Sequence, residues 1–210
     1  MKYIFVAGAP GSKWSSVVKN IYYSPDIDQT DYSDTRTYYH DASGTNQLMH
    51  LGAYFDPHME FGYKFNLLPY MSKDTLEEEF DRPFNGEGVR IIKSHVFCHH
   101  LEFIRKTWPD CPIICVERDN DACLGWWVRC GHFDITYPSY SGYYKNLRDM
   151  SHHIDKQNKD LKKFVKNNEL SMIYDNIDLC EKLGIATPLQ LNIQNYAAND
   201  IRVYLNQNVA

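Results

Sequence analysis

The segment Gly8–Ser16, with the sequence Gly-Ala-Pro-Gly-Ser-Lys-Trp-Ser-Ser, has the residue types of a phosphate-binding loop. It follows the apolar run Tyr3–Ala7 and precedes apolar residues at helical spacing, which predicts a strand, a loop and a helix in that order. Backbone N–H groups at a helix N-terminus lack intrahelical acceptors, and the helix dipole adds positive charge there. Because Lys13 adds a full charge and the serines add hydroxyl donors, we expect a phosphate to bind here. An ordinary Gly-Pro turn capped by serine is the alternative.

The spacing within this loop differs from that of a nucleotide kinase, which has the pattern G-x-x-x-x-G-K-[ST]. Lys13 follows Gly8 by five positions, and Trp14 stands where the Mg²⁺-binding Ser or Thr would be. The loop is therefore one residue short, which weakens the kinase interpretation and leaves it open.

A second group of candidate residues is Lys93 and His95, in the stretch Ile-Ile-Lys-Ser-His. They are two residues apart at the end of a predicted strand, so both side chains project to one face. A cation beside an imidazole disfavours the charged form of the histidine. This arrangement suits a neutral histidine acting as a base and a lysine that neutralises an anion. The alternative is a surface lysine and a half-buried histidine.

A third candidate is Arg118, which ends the apolar strand Pro112–Val116 and precedes a predicted helix. An arginine at the carboxyl end of a strand is well placed to hold a phosphate through two parallel hydrogen bonds. An ion pair with Asp119 or Asp121 is the alternative.

The elements that must position these residues alternate between strand and helix, which predicts an α/β fold with a parallel sheet flanked by helices. Length favours a single domain over residues 1–210. Ligands should lie beyond the carboxyl ends of the strands. The remaining predicted elements are a short helix with Asp74 as N-cap and Glu77 as its capping-box partner, a strand Val89–Lys93, a helix Phe97–Lys106, a helix Asp119–Arg129, a long amphipathic helix from Leu147 to Val165 interrupted at Asn158, a last strand Leu170–Tyr174, and a helix Ile177–Leu183 closed by Gly184.

Composition and charge indicate which classes of partner and which location to expect. The net charge of −5 and the pI of 6.0 argue against a nucleic-acid partner. No segment approaches a membrane span in apolar length, and the six cysteines form no paired framework, so we expect a cytoplasmic protein with small buried thiols and no membrane partner.

Taken together, the three candidate groups resemble the sulfotransferases that use 3′-phosphoadenosine-5′-phosphosulfate (PAPS), over roughly residues 2–184. The family has a loop of the type P-K-S-G-T-T-W, an I-K-T-H stretch, a strand ending V-x-R-[ND], and an F-Y-E-D strand. Its counterparts in this sequence are Pro10–Ser15, Ile92–His95, Val116–Asp119 and Ile173–Asp175. The resemblance implies a P-loop NTPase-like sulfotransferase architecture.

The same resemblance implies roles for individual residues. His95 would be the catalytic base, with Lys93 and Lys13 stabilising charge on the sulfonate, while Arg118 would hold the 3′-phosphate and Tyr174 would lie near the adenine. The cofactor-binding loop would comprise Pro10, Gly11, Ser12, Lys13, Trp14 and Ser15. The family's serine eight residues after the arginine is Trp126 here. The implied cofactor is PAPS, its product is 3′-phosphoadenosine-5′-phosphate (PAP), and no metal is required.

The resemblance implies an acceptor that is a hydroxyl or amine of a small molecule, glycan, lipid or peptide. We expect residues 24–88 and 131–145 to shape its pocket because they are irregular and aromatic-rich. The sequence assigns no oligomeric state. Two other functions stay open: a kinase that uses ATP and Mg²⁺, and a nucleotide-binding protein without catalytic activity.

Overall fold

Strands and helices alternate along most of the chain. The computed structural model describes residues 1–31, 39–40, 47–48, 53–129, 146–189 and 194–207. Within these ranges the strands are β1 (Tyr3–Gly8), β2 (Tyr39–His40), β3 (Gln47–Leu48), β4 (Arg90–Lys93), β5 (Ile113–Glu117), β6 (Ser171–Ile173) and β7 (Arg202–Asn206). The α-helices are α1 (Trp14–Tyr22), α2 (Lys73–Asp81), α3 (Leu101–Thr107), α4 (Asn120–Arg129), α5 (Leu147–Asn167) and α6 (Asn176–Leu183). The 3₁₀ helices span Phe65–Tyr70, Val96–His99 and Ala197–Asn199.

The main sheet has five strands in the order β4-β1-β5-β7-β6. β1 pairs in parallel with both β4 and β5, whereas β7 runs antiparallel to β5 and to β6. The α/β class is therefore confirmed, and the prediction of a parallel sheet holds for β4, β1 and β5 but not for β7 and β6. The physical reason is that β7 begins at the carboxyl end of β5, where Arg202 pairs with Glu117, and so must run back along it. The prediction that Leu170–Tyr174 is the last strand is also wrong, because β7 follows it in the chain.

Successive side chains of the central strands pack alternately into two layers of hydrophobic core, one on each face of the sheet. Tyr3, Phe5 and Ala7 of β1 lie in one layer with the side chains of α2, α3 and α5. Ile4 and Val6 lie in the other layer with those of α1 and α6. This period-two alternation with helices on both faces confirms that the apolar strands are buried on both sides. A third, smaller cluster lies under the loop after β1 and consists of Ala9, Cys123, Trp127, Met150 and Ile154.

The N-terminus of α2 differs from the prediction. Ser72, not Asp74, is the N-cap, and its hydroxyl accepts a hydrogen bond from the Thr75 backbone N–H. Asp74 lies inside the first turn, where its negative charge still favours the helix dipole. Glu77 is not a capping-box partner because its carboxylate accepts the Trp108 indole N–H at 2.8 Å.

Two other helices also differ from the prediction. The segment predicted as one helix, Phe97–Lys106, divides at His100, whose φ of −130° leaves the helical region between the 3₁₀ helix and α3. In contrast, α5 continues unbroken through Asn158. The Asn158 side chain is buried and donates to the Arg118 carbonyl and to Asn120, so this polar residue serves contacts between helices and does not interrupt the helix.

The described cysteines are buried and form no disulfide, as predicted: Cys98, Cys111, Cys115, Cys123 and Cys180. No helix in the described ranges combines the length and the apolarity needed to cross a membrane.

Candidate functional site

The loop between β1 and α1 is a tight turn pressed against α4. Gly11 and Lys13 both adopt left-handed backbone conformations, with φ of 80° and 64°. A Cβ at Gly11 would lie 2.1 Å from the Cys123 carbonyl oxygen, so the α4 backbone leaves room for glycine alone. Lys13 is the N-cap of α1 and makes no side-chain capping bond.

Ser12 lies inside this loop with its hydroxyl unsatisfied. The residue is fully buried, and its Oγ has no hydrogen-bond partner among the described residues. A Cβ at Gly8 would lie 2.7 Å from that Oγ and 2.9 Å from the Val116 backbone carbonyl oxygen, so a larger residue at the end of β1 would force one of them to move. Buried hydroxyls in folded proteins are nearly always paired, and an unpaired one costs free energy. The loop therefore contains a hydrogen-bonding group available to a bound ligand.

The other predicted loop residues are placed around this turn. Pro10 is buried and Ser15 is half-buried. Trp14 begins α1, and its ring stacks on the His95 imidazole at a centroid distance of 3.9 Å with an interplanar angle of 15°. The structure thus brings the loop and the Lys-Ser-His stretch together.

His95 follows β4 and is 5 % exposed. Its Nδ1 lies 2.5 Å from the Gly8 carbonyl oxygen, and Tyr54 makes an edge contact with its ring. A carbonyl only accepts hydrogen bonds, so in the neutral imidazole Nδ1 carries the proton and Nε2 carries the lone pair. The fold therefore selects the tautomer in which Nε2 is the basic nitrogen.

The backbone on both sides of His95 is held by the Asp56 carboxylate. Its Oδ1 accepts the Ser94 hydroxyl at 2.7 Å and the His95 backbone N–H at 3.1 Å. Its Oδ2 accepts the Tyr54 hydroxyl. Sequence reasoning missed Asp56, because the segment that carries it gives no periodic signal and is 39 residues from His95.

Burial lowers the pKa of the His95 imidazole, although Asp56 and the bond to Gly8 act to raise it, and Lys93 lowers it further. The net direction is downward from the ordinary value of about 6.5. His95 is therefore neutral at pH 7, the protonation state that a general base requires.

Lys93 is deep in the structure rather than at the surface, being 1 % exposed. Lys93 interacts electrostatically with the carboxylate of Asp31. Burial raises the pKa of Asp31, and the charge of Lys93 acts to lower it. Asp31 also accepts the Tyr22 hydroxyl at 2.8 Å and the Ala53 backbone N–H at 2.7 Å. The alternative of a surface lysine is therefore wrong, and a contact between Lys93 and a bound sulfonate stays a prediction.

Arg118 connects the loop to α4. One guanidinium nitrogen donates to the carbonyls of Gly11 at 3.1 Å and Ala122 at 3.0 Å. Its Nε lies 3.5 Å from the carboxylate of Asp200, not that of Asp119, which binds Arg202 at 2.6 Å instead. Among the described residues Arg118 forms no ion pair with Asp119 or Asp121, so that alternative is wrong. The role of Arg118 toward a 3′-phosphate stays a prediction.

Trp126 stands next to two cations. Lys13 Nζ lies 5.1 Å from the indole centroid, and the Arg129 guanidinium carbon lies 5.8 Å from it. Burial lowers the pKa of Lys13, Arg118 and Arg129 lower it further, and Asp200 raises it. We call Lys13, Arg118 and Arg129 the basic cluster. The sequence did not predict a role for Arg129 at the site. Its position one helical turn after Trp126 is the sequence signal that places the two side chains near each other.

Tyr174 lies apart from these groups in the described contacts. It follows β6 at the edge of the sheet and is 63 % exposed. Its backbone N–H donates to the Asp178 carboxylate, and its carbonyl accepts the Tyr196 N–H. Its predicted position beside an adenine stays a prediction.

The described cavities lie elsewhere. One of about 250 Å³ is at the amino end of β1, lined in part by Lys2 and Trp108, and one of about 270 Å³ is between α3 and α5, lined in part by His99 and Asp160. The described residues contain no cluster of three or more side chains suited to hold a metal ion. Much of the predicted acceptor pocket, namely residues 32–38, 41–46, 49–52 and 131–145, lies outside the described residues.

The site therefore combines a glycine loop with an unsatisfied hydroxyl, a neutral histidine of fixed tautomer, and a basic cluster at the carboxyl ends of β1, β4 and β5. Comparison with protein-family models, with curated proteins and with solved structures finds no significant match to this chain.

Proposed function

We propose that the protein is a PAPS-dependent sulfotransferase with a P-loop NTPase-like architecture. The observation that carries the proposal is the hydrogen bond between His95 Nδ1 and the Gly8 carbonyl. It joins the predicted base to Gly8, which ends β1 two residues before the predicted phosphosulfate loop, and it leaves Nε2 as the basic nitrogen. Trp14 of that loop stacks on the same imidazole. A base and an anion-binding loop in contact are what a sulfonate transfer to a hydroxyl requires.

The proposed reaction is an in-line displacement at sulfur. His95 Nε2 takes the proton from the acceptor hydroxyl as the acceptor oxygen forms a bond to sulfur. The bond from sulfur to the bridging phosphate oxygen breaks, and PAP leaves with the electron pair. Lys13 and Lys93 would stabilise negative charge on the transferring sulfonate and on the leaving oxygen. No metal takes part in this sequence of steps.

The first test compares ligands by thermal shift. PAP should raise the melting temperature of the protein, and ATP with Mg²⁺ at the same concentration should raise it less. The reason is that stabilisation of the native state grows with the logarithm of ligand concentration divided by Kd. Lys13→Met should lose the PAP shift and keep nearly the melting temperature of the free wild type. A larger shift with ATP and Mg²⁺ would favour a kinase and contradict the proposal.

The second test concerns His95. His95→Ala should retain PAP affinity, because its role begins only with the acceptor, and should lose about 10²–10⁴-fold in turnover. The assay is sulfonate transfer from labelled PAPS to a panel of sugars, lipids, phenols and peptides. His152→Ala, which alters an exposed histidine on α5, is the matched control. Undiminished transfer by His95→Ala would remove the base assignment, whereas PAP binding by wild type without transfer to any acceptor would favour a non-catalytic nucleotide-binding protein.

A further inference from the structure

Among the described residues, the basic cluster contains more cations than the carboxylates in contact with it can neutralise. Arg118 and Arg129 each act electrostatically on Lys13, and among the described residues Asp200 is the carboxylate that acts on it. Within this group of four residues, three are cations and one is an anion, which leaves two positive charges. Like charges held together in this way raise the free energy of the ligand-free protein and favour a bound anion.

The neighbouring carboxylates are already engaged. Arg202 donates to Glu117 at 2.8 Å and to Asp119 at 2.6 Å. Lys162 also lies 3.5 Å from Glu117. Glu117 and Asp119 therefore form their ion pairs with Arg202 and Lys162. Asp119 also acts electrostatically on Arg118, but the carboxylate in ion-pair contact with Arg118 is that of Asp200.

The contact between Asp200 and the cluster is loose. Its carboxylate lies 3.5 Å from Arg118 Nε and is 58 % exposed. Arg118 Nε is buried and has no hydrogen-bond partner among the described residues. Within the part of the chain that the structure describes, Lys13 Nζ donates its hydrogen bond to the Asn199 carbonyl, at 3.4 Å. These lengths exceed the 2.7–2.9 Å of a strong charge-assisted hydrogen bond, so a better acceptor would gain contacts that Asp200 does not supply.

The turn that carries Asp200 is fixed in place by the sheet. Asp200 has a left-handed backbone with φ of 60°, and its N–H donates to the Ala197 carbonyl. Two residues later Arg202 enters β7 opposite Glu117, so the turn must lie beside Arg118. The position of the carboxylate is thus set by the fold.

We propose that the Asp200 carboxylate is a replaceable internal counter-ion of the basic cluster, and that a phosphate or sulfate group of the ligand binds by taking its place beside Arg118. Asp200 then limits the affinity of the site for anions. The inference rests on the proposed function only for the identity of the ligand that carries the anionic group.

The test removes the charge and keeps the backbone. Asp200→Asn preserves shape, and asparagine tolerates the left-handed conformation. Asp200→Gly removes the side chain and suits the same φ. Asp110→Asn, in the turn before β5 at the opposite end of that strand, is the control for net charge. Binding of PAP and of inorganic sulfate is measured by calorimetry and thermal shift at constant ionic strength.

Both Asp200 variants should bind PAP about five- to tenfold more tightly than wild type, as expected for removing one repulsive charge a few ångströms away in a water-like dielectric. Asp110→Asn should bind as wild type does. Equal PAP affinity in wild type and both Asp200 variants, or weaker affinity in the variants, would overturn the inference and leave the proposed function standing. A gain with sulfate in the absence of any PAP binding would support the inference and contradict the proposed function. No binding of either anion to any variant would overturn both.

Discussion

Replacing Gly11 by alanine tests how the loop is built. Two effects act on the added methyl group. The φ of 80° places an L-residue in the left-handed region, and the Cβ would lie 2.1 Å from the carbonyl oxygen and 2.8 Å from the carbonyl carbon of Cys123. Both atoms belong to the backbone of α4, which cannot move aside as a flexible side chain does.

The two effects give the expected size of the loss. The left-handed conformation costs an alanine about 1–2 kcal/mol. Forcing extra volume into a packed region costs about 1–3 kcal/mol more. The free energy of unfolding should therefore fall by about 2–5 kcal/mol, which for a chain of this length lowers the melting temperature by about 4–20 °C.

The matched control is Gly125→Ala, in the exposed face of the same helix. A Cβ there meets nothing within 4 Å, and the backbone is helical. This variant should gain up to about 1 kcal/mol, because alanine is the better helix former. Urea denaturation and thermal melting of both variants give the difference between them. If Gly11→Ala melts within about 1 °C of wild type, the loop does not lie against α4 as described and the reasoning fails.

Two further predictions concern residues next to the loop. Asn158→Leu should lower the free energy of unfolding by about 1–3 kcal/mol in urea denaturation, because the buried Arg118 carbonyl and the Asn120 side chain each lose a donor; a neutral result would show that these bonds do not hold α4 to α5. Burial lowers the pKa of His95 in the folded protein. Below about pH 6.5 the unfolded chain therefore binds more protons at this residue than the folded chain does. The free energy of unfolding of the wild type should decrease as the pH is lowered. His95→Gln should lose less stability than wild type between pH 7 and 5, and parallel losses would show that folding does not perturb His95.

Local pattern predicted the elements whose residues repeat at a regular period. The run from Tyr3 to Ala7, followed by glycine and then by helical spacing from Trp14, gave β1, the loop and α1. The same regularity placed Lys93, His95 and Arg118 at strand ends, and the carboxyl ends of adjacent parallel strands meet at one edge of a sheet. Proximity among these groups was therefore predictable without any knowledge of side-chain contacts.

The partners of these residues were not predictable in the same way. Asp56, Asp31 and Asp200 reach the site from segments far away in the chain, and no periodic pattern links a carboxylate to a cation that it meets only in the folded state. β7 was different. Residues 201–205 alternate apolar and polar side chains, which is a local signal for a strand. A prediction without β7 contains neither its antiparallel pairing with β5 nor the turn that carries Asp200.

The position of β7 between β5 and β6 has a consequence for how the protein is synthesised. β1, β4 and β5 are complete once residue 117 has been made, but the neighbour of β5 is not available until residue 206. At synthesis rates of about 5–20 residues per second, that interval lasts about 4–18 seconds. Throughout it the edge of β5 presents unpaired backbone groups that can pair with the same edge of another nascent chain. Slower translation therefore lengthens the time during which the edge of β5 can pair with another chain. A low concentration of nascent chains favours pairing of β5 with its own β7.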